Sequence, residues 1–171
     1  MNRRPLAFIN REEEWELIQR LQTIIDVRNC TPNNTAVLMI SPDYSATVAM
    51  HLAHGWSRDG EILNIIPVNV PYPDEKVDDY RSTLRMQIHD IISYEKLILV
   101  EAGIIRGNNW KWILDVLIHE FEYSRQDIKL VSMCENVHSI VKSDYVGKYY
   151  DDEKEELMFY FEKYNQHWPV K

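Results

Sequence analysis

Four short apolar runs, Ala36–Ile40, Ile62–Val68, Lys96–Val100 and Ile128–Met133, constrain this chain more than any other feature. Runs of this length, rich in β-branched residues and without polar alternation, suit strands covered on both faces. Segments of helical period separate them. Asn10 with Glu13 makes a capping-box-like start, and Trp15, Ile18, Leu21 and Ile25 then predict a helix over about 11–28. The Thr31-Pro32-Asn33-Asn34 segment breaks it. After a short polar turn, Ser41-Pro42-Asp43-Tyr44, residues Ser45 to His54 predict a packed helix that stops at Gly55. Trp110 to Phe121 carries Ile113, Leu114, Leu117 and Ile118 at the same spacing. Pro67 marks the end of its strand or an edge position. The charged stretch 74–90 is ambiguous; its part over 78–92 is compatible with a helix and with a mobile excursion over a site.

Strands alternating with helices predict right-handed crossovers, hence an α/β fold with a mostly parallel central sheet flanked by helices. The 171 residues form a single domain, because the linker-like stretch 67–73 is too short to divide it. In such sheets ligands bind beyond the carboxyl ends of the strands, where the loops at 41–45 and 101–109 meet.

Charge narrows the partners. A formal net charge of −8 argues against an extended nucleic-acid surface or an anionic membrane. No apolar run approaches the roughly 20 residues that span a bilayer, and the start leads into a charged helix rather than a signal-peptide core, so a cytoplasmic protein is expected. Cys30 and Cys134 read as two buried thiols. His51 and His54 lack a third ligand, and the acidic run 151–156 reads as a solvated turn, so no metal site is expected from the residues alone.

Glu101-Ala102-Gly103-Ile104-Ile105-Arg106-Gly107-Asn108-Asn109 delivers the chain directly into a helix. Backbone amides at a helix start make an anion cradle; Gly107 allows close approach and Arg106 adds a cation, which points to a phosphate. The competing reading is a tight connection in which Asn109 caps the next helix.

The segment Leu97–Gly107 resembles the phosphoribosyl-pyrophosphate loop of type I phosphoribosyltransferases: an apolar strand, acidic residues, and a small-residue turn entering a helix. Val37–Ser41 with its following helix resembles the family's pyrophosphate loop. The tail Lys142–Gly147, the acidic stretch and Leu157–Phe161 resemble the base-side hood of purine-type members. The resemblance implies a small hood over about 142–165, together with the N-terminal helix. It implies transfer of ribose 5-phosphate from phosphoribosyl pyrophosphate to a nucleobase or related acceptor, with magnesium balancing phosphate charge and a homodimer as the usual assembly. Carried over residue by residue, Glu101 is the catalytic acid that orients ribose. Arg106, Gly107, Asn108 and Asn109 hold phosphate, while Ser41, Asp43, Tyr44 and Ser45 form the pyrophosphate side. Met158 and Phe159 form the base platform. The chain departs from the pattern at Ala102, which replaces the second acid, at Ile105, which replaces an acid near the base, and at Arg106, which replaces threonine. Near Cys134 and Glu135 the sequence has no lysine in the place where purine-type members use one to read the base oxygen. These departures open the alternative of a non-catalytic nucleotide-binding or regulatory protein that keeps the fold.

Overall fold

The computed structural model describes residues 6–40, 42–57, 59–69, 87 and 89–159. Its first helix, α1 (Arg11–Ile24), opens as the Asn10–Glu13 spacing predicts: Asn10 Oδ1 accepts from the N–H groups of Glu12 (2.9 Å) and Glu13 (3.0 Å). It ends four residues before the expected boundary, because Ile25 is already extended and Asp26 folds a turn by accepting from the Arg28 N–H. Asn10→Ala leaves those two amides without their acceptor and is expected to cost about 1 kcal/mol of stability, measured by urea unfolding.

The remaining elements follow in order: β1 (Leu6–Ile9) before α1, then β2 (Thr35–Ile40), α2 (Pro42–Gly55), β3 (Asn64–Val68) and a 3-10 turn (His89–Ser93). β4 (Lys96–Ile104), α3 (Asn108–His119), a 3-10 turn (Arg125–Asp127), β5 (Ile128–Asn136), β6 (Tyr145–Tyr150) and β7 (Glu156–Phe159) complete the elements of the described residues. Among the described residues, five strands make one sheet in the order β3-β2-β4-β5-β6, and every pair is parallel. This is the expected α/β architecture. Pro67 lies in β3, at the sheet edge, where its missing N–H costs no ladder bond on the outer side.

Both faces of the sheet are covered, which explains the lack of polar alternation. Leu17, Ile18 and Leu21 of α1 and Val48 and Leu52 of α2 pack with Val37, Ile98, Val100 and Val131. Trp110, Ile113 and Leu117 of α3 pack with Leu38, Leu97, Leu99 and Leu130. Each fully buried side chain of this kind contributes roughly 1.5–3 kcal/mol.

Several boundaries differ from the sequence reading. α2 begins at Pro42, so residues 42–44 of the turn expected at 41–44 belong to the helix's first turn; proline is suited to the first helical position, where its fixed φ is already helical. β4 runs four residues past Val100 and β5 three past Met133, because the two strands keep pairing through Gly103↔Cys134 and Ile104↔Glu135. The expected hood also divides. Residues 145–150 are the edge strand of the main sheet, and 156–159 pair in parallel with β1, an N-terminal strand that the sequence reading lacked. The expected helix over 78–92 lies mostly outside the described residues. Among the described residues, no helix is long and apolar enough to cross a membrane.

Candidate functional site

Strand order reverses between β2 and β4: the connection from β2 leads to β3 on one side, and β4 lies on the other. Such a switch point opens a crevice at the strands' carboxyl ends, and here it lies between the start of α2 and the β4–α3 loop. A buried hydrogen bond ties the two. The Ala102 N–H donates to Ser45 Oγ (3.0 Å), two residues past the last β2–β4 pair, so the hydroxyl takes over where the ladder ends.

Glu101 stands inside β4 rather than in a loop, and shares the α3 side of the sheet with Leu97 and Leu99. The residue is only 6% exposed, and Oε1 accepts from Asn109 Nδ2 at 3.1 Å. Burial pushes its pKa up to about 7, with the Asn109 bond pulling the other way. Ala102, one residue on, is fully buried in the core on the opposite face with Val48 and Ala49.

The turn into α3 spans Ile105 to Gly107. Gly107 has φ +77, a left-handed backbone that strains any residue with a Cβ. Lys111 N–H closes the first helical bond onto Gly107 O (3.1 Å), so the amides of Asn108, Asn109 and Trp110 precede the ladder. The first turn of α3 contains no acidic side chain to oppose an anion there. Arg106 is exposed, and its carbonyl accepts from the Ile140 N–H (3.0 Å). A Cβ built on Gly107 would lie 2.5 Å from Ser139 Oγ and 3.0 Å from Val141 N. The close approach that requires glycine is therefore made by the 139–141 segment; Ile105, Arg106 and Asn108 stay open to solvent and Asn109 is half-buried.

Of the residues singled out by sequence, hydrogen bonding joins Glu101 to Asn109 and Ser45 to the strand carrying Glu101. Ser41 lies outside the described residues. Asp43 and Tyr44 occupy the first turn of α2, and Met158 and Phe159 pair with Phe8 and Ile9 in the smaller sheet; the side chains of these four also lie outside what is described. Sequence reasoning missed the 139–141 segment against Gly107 and the fully buried Glu135, which accepts from the Ser143 N–H (2.8 Å). It also missed Tyr150, whose hydroxyl donates to Ile104 O (3.1 Å). A carboxylate immediately past an apolar strand was the available signal for Glu135.

Past the ends of β5 and β6, His138, Asp151 and Glu153 bring ligand-capable atoms within 4.8 Å of one another. The Lys154 ammonium sits 2.6 Å from Asp151 and already supplies the positive charge that a cation would bring. Cys134 is buried, and burial pushes its pKa up to about 12, so the thiol is inert at neutral pH; Cys30 is half-buried rather than enclosed.

No protein-family model matches the sequence, and none of the curated proteins does. Solved structures are similar in fold. The chain resembles a purine phosphoribosyltransferase from Pyrococcus horikoshii Ot3 at 12% identity and TM-score 0.65, covering 96% of this chain and 97% of that one. A Helicobacter pylori xanthine-guanine-hypoxanthine phosphoribosyltransferase aligns at 15% identity and TM-score 0.58, covering 94% of each chain. A Staphylococcus aureus hypoxanthine phosphoribosyltransferase aligns at 12% identity and TM-score 0.54, covering 81% of this chain and 75% of that one. With its parallel sheet, its crevice at the switch point and these neighbours, the chain has the fold of the type I phosphoribosyltransferases.

Proposed function

We propose that the crevice binds a ribosyl 5-phosphate compound, such as a nucleotide or phosphoribosyl pyrophosphate, and does not transfer the ribosyl group. The phosphate would sit on the free amides at the start of α3, with the Arg106 guanidinium as its side-chain cation. The observation that carries the loss of transfer is the state of Glu101. Transfer through a ribosyl cation needs charged carboxylates placed to hold the ribose hydroxyls as positive charge develops. Glu101 is enclosed, is bonded to Asn109 and keeps its proton up to near-neutral pH. The next position offers only the buried methyl of Ala102.

Magnesium enters this reading only on the phosphate oxygens of the ligand. The ion demands several oxygen ligands in octahedral array. At the ends of β4 and β5 the described carboxylates are Glu101 and Glu135, and both are buried and engaged by protein N–H groups. These residues do not fit a resident magnesium.

The reading is tested by calorimetric titration with ribose 5-phosphate, nucleoside 5′-monophosphates and phosphoribosyl pyrophosphate, with and without magnesium, alongside a pyrophosphate-release assay with a panel of bases. Binding without release is expected. Release above the uncatalysed rate would overturn it in favour of a transferase with an altered site.

A further inference from the structure

A cavity opens at the opposite end of the sheet from the crevice, where the turn after α1, the start of β4 and the 3-10 turn before β5 meet. It measures about 120 Å³ and lies between Asn29, Cys30, Lys96, Gln126, Asp127 and Lys129. That is roughly four times the volume one water occupies in the liquid, and well below the ~300 Å³ at which small-molecule pockets begin. The chain carries a formal net charge of −8, yet here the sign reverses. Lys96 Nζ donates to Asn29 O (3.2 Å) and Lys129 Nζ to Asp26 O, so the backbone of the turn that carries Cys30 holds both ammoniums. Each keeps two N–H groups beyond that bond, and among the described residues no salt bridge joins either to a carboxylate. The Asp26 carboxylate, also in the lining, is taken by the Arg28 guanidinium through two bonds (3.0 and 2.9 Å). Two lysines are left against the one carboxylate of Asp127.

We propose that this cavity binds hydrogen phosphate, a compact oxyanion that still carries a proton, and that Asp127 selects it over sulfate. The lysine ammoniums and the side-chain amides of Asn29 and Gln126 donate to the bare oxygens of the anion. Hydrogen phosphate has one O–H to give to the Asp127 carboxylate. Sulfate has none, so the same carboxylate meets a charged acceptor and repels it. The site lies at the opposite end of β4 from the turn into α3, and it stands whether or not the crevice binds a ribosyl phosphate.

Cys30 reports occupancy. It lines the cavity half-buried, whereas the Cys134 thiol is enclosed and pushed up to about 12, so iodoacetamide, a neutral reagent, alkylates Cys30 alone at pH 8. The rate is followed by mass spectrometry on the full chain at constant ionic strength. Inorganic phosphate is expected to slow it about tenfold when present at roughly ten times its Kd. Sulfate at the same concentration should leave it unchanged, and uridine 5′-monophosphate, too large for the cavity, should do the same. Asp127→Asn should let sulfate protect Cys30 as well, because the amide donates to its oxygens. Lys96→Gln combined with Lys129→Gln should abolish protection by either anion, with circular dichroism as the check that the variant is folded. No protection by phosphate in the parent, equal protection by sulfate or by the nucleotide, or protection that survives loss of both lysines would each overturn the proposal.

Discussion

Glu101→Gln is expected to make the protein about 3 kcal/mol more resistant to urea at pH 8 than the parent, and to change little near pH 4. The buried carboxyl gives up its proton at about 7 in the folded chain, against an ordinary value of 4.5. Below pH 4.5 both folded and unfolded states hold the proton, and the folded state is at its best. Between 4.5 and 7 the unfolded chain releases a proton that the folded chain keeps, so stability falls as pH rises. Above 7 the loss levels off at about 3 kcal/mol. Glutamine stays neutral throughout, and its carbonyl oxygen can still accept from Asn109, so the variant lacks this fall. Unfolding curves at pH 4, 6 and 8 measure it; the same pH dependence in both proteins would mean that the carboxyl is solvated after all.

Gly107→Ala should cost about 3 kcal/mol, an unusually large loss for one methyl at a surface turn. Two penalties add. A positive φ of 77 disfavours any Cβ by about 1 kcal/mol, and the new methyl would meet Ser139 Oγ at 2.5 Å and the backbone of Val141 at 3.0 Å. The pair can be separated, because Gly107→Ala combined with Ser139→Ala removes the hydroxyl but leaves the backbone strain and the Val141 contact. That double variant is expected to recover about 1 kcal/mol, read by thermal or urea unfolding. A single variant as stable as the parent would show that the 139–141 segment does not press on the turn.

The apolar runs revealed four of the five strands of the main sheet because its central strands are covered on both sides, and that condition is written directly in consecutive residues such as Ala36 to Ile40. Strand lengths were less legible. Glu101 and Glu135 look like the ends of strands, yet continued pairing between β4 and β5 holds them inside, with a hydrogen bond for each carboxyl. β1 was invisible for a different reason: four residues carry too little pattern, and its partner β7 lies about 150 residues further along the chain. At the site, Gly107 was legible as a residue that something approaches closely. That the approach comes from residues 139–141 depends on contacts between distant segments, which local composition does not record.

The union of β1 with β7 bears on how the protein is made. As the chain leaves the ribosome, β1 emerges before the other described elements and must wait for nearly all of them before β7, its strand partner among the described residues, exists. The five-stranded sheet can assemble meanwhile, since its last strand is finished at Tyr150. Closure of the small sheet is therefore a late event with a large loop to close, and a nascent chain halted before Glu156 would carry an unpaired strand edge open to mispairing.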